Sequence, residues 1–98
     1  MADYELVQNL IDLISRLYDE TVGFLESPDD QQLWYNRGYA NGMVKVLDES
    51  GYDCRLREHV DPDPEDMIEG QEMMPWGKAY AHGFDMGERE CNEILPKE

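Results

Sequence analysis

Basic residues are scarce in this chain. Its 98 residues carry 8 Lys and Arg against 23 Asp and Glu, a formal net charge of −15. That imbalance argues against direct binding to nucleic acid or to an anionic membrane surface, since both are polyanions. Long apolar runs are missing as well. None approaches the ~20 residues that a membrane-spanning helix needs. The opening Met-Ala-Asp-Tyr-Glu has no basic stretch of the kind that begins a secretory signal. Two cysteines, Cys54 and Cys91, do not make a disulfide framework, so a cytoplasmic chain with reduced thiols is expected. Cys54, Cys91, His59 and His82 lack the close spacings of a zinc site. Ser15 and Ser27 sit in no nucleophile motif. No catalytic residue, metal or cofactor is expected.

What is present suffices for one small core. The hydrophobic fraction is 41%, and the length fits one domain, residues 1–98. A domain of this size buries only roughly 60–65% of its unfolded surface. Stability should therefore be modest without a partner or a second copy.

The chain is organised around Gln31 to Gly51, QQLWYNRGYANGMVKVLDESG. Ser27-Pro28-Asp29-Asp30 before it reads as a helix start, with serine as cap, proline in the first turn and carboxylates at the positive end of the dipole. A helix over residues 28–50 follows, stopped by Gly51. Wound at ~100° per residue, it places Arg37, Asn41, Lys45 and Asp48 in one polar strip. The rest is almost wholly apolar, wider than the stripe of an ordinary surface helix, so neighbours are expected on at least two sides. Gly38 and Gly42 interrupt it, although a helical glycine costs about 1 kcal/mol relative to alanine. Close approach of another backbone would explain them.

Residues 3–26 form an amphipathic helix through Val7, Leu10, Ile11, Ile14, Leu17, Tyr18, Phe24 and Leu25. Its polar side repeats Glu5, Asp12, Asp19 and Glu26 every seven residues, about 10.5 Å apart. The short turn before the second helix predicts an antiparallel hairpin. Residues 52–74 are an acidic connector containing Asp61-Pro62-Asp63-Pro64, which cannot be helix interior. Tyr52 to Val60 alternates weakly and suggests a short extended piece. Pro64-Glu65-Asp66 suggests a helical turn running to Gly70. The last helix, residues 75–95, has Gly83 and Gly87 at the centre of its apolar face.

Tyr39-Ala40-Asn41-Gly42-Met43 and Tyr80-Ala81-His82-Gly83-Phe84 share one pattern, each after a tryptophan, Trp34 or Trp76. The expectation is that the two glycine pairs face each other, with Trp34 and Trp76 packed around the crossing.

Two constellations imitate metal sites. Asp61-x-Asp63-x-Glu65 with Glu72 in twelfth place has the length of a calcium loop, but Asp66 stands where the turn requires glycine. Glu69-x-x-Glu72 and Glu90-x-x-Glu93 look like the paired carboxylates of all-helical nucleotide pyrophosphohydrolases, whose magnesium clamps phosphates. Pro75 and Trp76 break the space between those pairs, and so acidic a chain produces such spacings by chance.

In size, acidity and the helix Trp-Tyr-x-Arg-Gly-Tyr-x-x-Gly from Trp34 to Gly42, the chain resembles the small acidic proteins with which tailed phages disable host enzymes. The resemblance implies an inhibitor, of the DNA-mimic or anti-CRISPR type. The expectation is thus an all-α three-helix bundle, dimeric through its surplus apolar faces. It would be non-enzymatic and would bind a basic, nucleic-acid-binding surface of another protein. The expected binding residues are Glu5, Asp12, Asp19, Glu26, Asp29 and Asp30 as one strip, and Asp61, Asp63, Glu65, Asp66, Glu69 and Glu72 as a second. The competing expectation is a helical module that docks through apolar and aromatic surface, its acidity serving solubility alone.

Overall fold

The computed structural model describes residues 4–64 and 66–95. Among them the regular structure is all helical: α1 (Tyr4–Glu20), a 3-10 turn (Phe24–Glu26), α2 (Gln31–Glu49), a short α3 (Asp53–Arg57) and α4 (Pro75–Ile94). Glu65, at the head of the expected second strip's turn, lies outside the described residues.

Helix α1 stops six residues before the sequence pattern suggested. Thr21 turns its hydroxyl back to the Leu17 carbonyl at 2.6 Å, and Gly23 takes a left-handed φ of 81°. Both features end a helix. The cap of α2 is also displaced. Asp30, not Ser27, accepts from the Leu33 N–H at 3.1 Å, while Ser27 bonds back to the Gly23 carbonyl. Pro28 therefore lies in the turn and not in the helix. The expected extended piece over Tyr52–Val60 is instead α3, its Leu56 buried in the core. In place of the helical turn expected to run to Gly70, residues 66–70 form hydrogen-bonded turns, in which the Met67 N–H donates to the Pro64 carbonyl, the Glu69 N–H to that of Asp66, and Gly70 has φ 87°.

Helix α1 runs antiparallel to α2, for Tyr18 meets Asn41 while Thr21 meets Arg37. Helices α2 and α4 run parallel and nearly touch backbone to backbone. A Cβ added at Gly38 would lie 2.0 Å from the Tyr80 carbonyl oxygen, and one at Gly42 2.2 Å from that of Phe84. The reciprocal contacts are Gly83 on Tyr35 and Gly87 on Tyr39, each at 2.0 Å. Only glycine lets two helices approach so closely. Parallel neighbours need a long return, and the acidic residues between α2 and α4 provide it. We refer to residues 50–74 as the crossover. Its end presses on α4 too, since a Cβ on Gly77 would meet the Gln71 carbonyl at 1.8 Å.

Two apolar clusters result. One joins Val7, Leu10, Ile11 and Ile14 of α1 to Met43, Val46 and Leu47 of α2, Leu56 and Val60 of the crossover, and Cys91 and Leu95. The other gathers Phe24, Trp34 and Tyr80, flanked by Met67, Ile68 and Trp76. Trp34 is fully buried and its indole N–H is satisfied by the Ser27 carbonyl at 3.1 Å. Its ring lies 6.4 Å from that of Trp76. The wide apolar surface of α2 is thus covered within the chain, by α4 on one side and α1 on the other.

Candidate functional site

Between the two clusters sits a polar knot that ties the crossover to the helices. Arg37 and Asn41, one turn apart on α2, point inward, where sequence placed them in an outer polar strip. Arg37 clasps the Asp63 carboxylate with two nitrogens, at 2.7 and 2.9 Å. Its remaining terminal nitrogen donates to the Tyr18 carbonyl and the Thr21 hydroxyl. The guanidinium lies 3.8 Å from the centre of the Tyr18 ring and 5.0 Å from that of Phe24. Asn41 donates to Asp63 at 2.9 Å and to the Tyr80 hydroxyl at 2.7 Å, and accepts from the Tyr18 hydroxyl. That hydroxyl in turn accepts the Asp63 backbone N–H at 3.0 Å.

The electrostatics follow from burial. Burial and the nearby Asp63 charge push the Tyr18 phenol well above its ordinary value, against the opposing effect of the Asp63 N–H and of Arg37. Burial likewise raises Tyr80. Burial alone would lower Arg37, but its bond to Asp63 and the charge behind it outweigh that and raise it. Among the described residues no buried side-chain nitrogen or oxygen lacks a partner. The knot is a fastened joint: a neutralised carboxylate, a held guanidinium and two phenols kept protonated.

Asp63 is therefore removed from the expected binding strip. Its side chain is 8% exposed and its charge is met by Arg37, so it cannot serve an outside partner. Asp30 is exposed but engaged as the α2 cap. Glu5, Asp12 and Asp19 keep their helical register on α1, with Asp12 accepting from Gln8. Glu26 leaves that register, because α1 ends at Glu20 and the chain turns before it. Asp29, Asp61, Asp66, Glu69 and Glu72 are exposed. Glu69 and Glu72 lie in turns, not on one helical face, and Glu72 accepts from the Gly70 N–H. The likeness to paired magnesium carboxylates fails there.

Two grooves flank the knot. The first, about 410 Å³, lies between the end of α1, the 3-10 turn and the crossover. Asp19, Glu26 and Asp61 line it, together with Val22, Phe24, Leu25, Val60 and Met67. The structure thus brings together carboxylates that sequence assigned to separate strips. The second groove, about 810 Å³, runs between the α2/α4 pair and the crossover. Glu72 lines it with Asp48, Glu49 and Asp85, which neither expected binding strip included, and with Lys45 and Arg57. Lys45 is paired with Glu88 at 2.8 Å.

Sequence reasoning also missed Tyr18, Arg37, Asn41 and Tyr80 as a unit. One signal was available. Arg37 and Asn41 are a cation and an amide one turn apart in the helix whose apolar width called for neighbours on two sides.

Comparison with known proteins finds no match, whether to family models, curated proteins or solved structures. Among the described residues no helix is long and apolar enough to cross a membrane.

Proposed function

We propose that this chain is a non-enzymatic acidic inhibitor that occupies a basic, nucleic-acid-binding surface of another protein, as a DNA mimic or electrostatic decoy. The observation that carries this is the surplus of negative charge. With 23 carboxylates and 8 cationic side chains, even complete internal pairing would leave 15 carboxylates uncompensated. Arg37 and Lys45 are already committed to Asp63 and Glu88. A surface shaped for DNA carries Lys and Arg at a density that matches about one charge per 1.7 Å of duplex axis. A helical scaffold tied by close packing and a satisfied polar knot loses little entropy when it docks there. Strict phosphate spacing is not needed for a decoy, which suits the ~10.5 Å interval along α1. The homodimer was expected from the apolar faces of the first two helices; α4 and α1 cover that of α2, and the decoy reading holds for one copy or for two.

The test is competition. The immobilised chain is offered a bacterial lysate at low ionic strength, and duplex DNA is then added. Displacement by DNA of captured basic, nucleic-acid-binding proteins is expected. Capture that DNA leaves untouched would contradict the proposal.

A second reading is favoured by Val22 and Met73, 77% and 80% exposed. Apolar side chains so placed suit a helical module that docks through hydrophobic contact. Such docking would barely respond to salt, whereas pairing through exposed carboxylates weakens steeply as salt rises.

A further inference from the structure

The first groove combines two properties that the chain shows separately elsewhere. Its rim is acidic from three directions: Asp19 from the end of α1, Glu26 from the 3-10 turn and Asp61 from the crossover. Two other charged groups, Arg37 and Asp63, also line it but cancel each other in the knot, and Tyr18 and His59 complete the titratable set. Between the carboxylates stand Val22 and Leu25, 77% and 39% exposed. Phe24, Val60 and Met67 supply further apolar lining. A single exposed aliphatic residue is ordinary. Two beside a concave, partly apolar surface form a place for another side chain to be buried.

We propose that this groove takes a short basic-apolar segment of a protein partner. An aliphatic side chain of that segment packs against Val22, Leu25 and Phe24, and lysine or arginine on either side of it meets Asp19, Glu26 and Asp61. This deepens the acidic-binder proposal and rests on it. Charge selects the occupant. A nucleic acid would be repelled by the rim, and a second copy would bring the same groove on a chain of net charge −15.

The probes are three short synthetic peptides, alternating arginine with leucine, arginine with serine, and glutamate with leucine, titrated against the full chain by fluorescence anisotropy. The arginine–leucine peptide should bind roughly ten-fold more tightly than the arginine–serine one, the effect of burying one aliphatic side chain. The glutamate–leucine peptide should not bind. Val22→Ser, at a position too exposed to matter for folding, should erase that ten-fold preference. Asp19→Lys with Asp61→Lys should abolish binding, while Asp48→Lys with Asp85→Lys, across the second groove, should change it less than about two-fold. Equal losses from the two charge reversals, or equal affinity for the two arginine peptides, would overturn the groove and leave the acidic-binder proposal standing. Failure of both arginine peptides to bind at low salt would overturn both.

Discussion

Gly83 lies against the carbonyl of Tyr35 so closely that a Cβ there would sit 2.0 Å from the oxygen. The obstacle is backbone in a parallel helix, which cannot rotate away as a side chain could. Gly83→Ala therefore separates two hypotheses by sign. A glycine merely tolerated in a helix would gain about 1 kcal/mol on replacement by alanine. Packed against Tyr35, the variant should instead lose roughly 1–3 kcal/mol, and Gly83→Leu more. Urea unfolding measures either outcome.

Asp63 and Arg37 tie the crossover to α2 with side chains 8% and 12% exposed. Removing one member of a buried pair strands the other. Asp63→Ala should cost about 3 kcal/mol, the low end for such losses because the pair keeps slight solvent contact. The paired replacement Arg37→Met with Asp63→Leu should cost less than the sum of the single changes. Additive losses would show that the two side chains act independently.

Alkaline pH should loosen the same joint. Tyr18 and Tyr80 both titrate above their ordinary value of 10.0 when folded, first because they are buried. A raised folded value means that the unfolded chain gives up these protons first. The stability they confer is complete below pH 10 and is lost as pH rises through the folded values. Thermal melting followed from neutral pH past pH 10 should show this decline, and Tyr18→Phe should make it shallower. A decline of unchanged slope in that variant would remove Tyr18 from the explanation.

The two cysteines should differ in reactivity. Cys54 is exposed, whereas Cys91 is buried and its thiol is pushed up from 9.0 to about 11. Thiolate is the reactive form. At neutral pH a chromogenic disulfide should label Cys54 promptly and Cys91 only after denaturant is added. Prompt labelling of both would place Cys91 outside the core.

Much of the helical layout was legible because it is local. The glycine pairs, the tryptophans before them and the 3.6-residue recurrence all lie within single helices. The ends were harder. Phe24 and Leu25 continue the apolar pattern of α1 past its true end, and nothing in that pattern reports the Thr21 hydroxyl bonding back to Leu17. Tyr52 to Val60 alternates like a strand, yet Leu56 and Val60 reach the core from a helical turn. The knot was out of reach for another reason. Tyr18 and Asp63 are 45 residues apart, and only the parallel placing of α4 forces the crossover back past α1. The groove shares that dependence, since Asp19, Glu26 and Asp61 converge through the same return.

The most direct test is the ionic-strength dependence of affinity for the partner that the chain captures. Contact through surplus carboxylates predicts that the logarithm of affinity falls linearly and steeply with the logarithm of salt concentration, as it does when Lys and Arg surfaces bind DNA. An affinity that stays level from low to high salt would contradict it, and would place the binding in apolar surface such as Val22 and Met73.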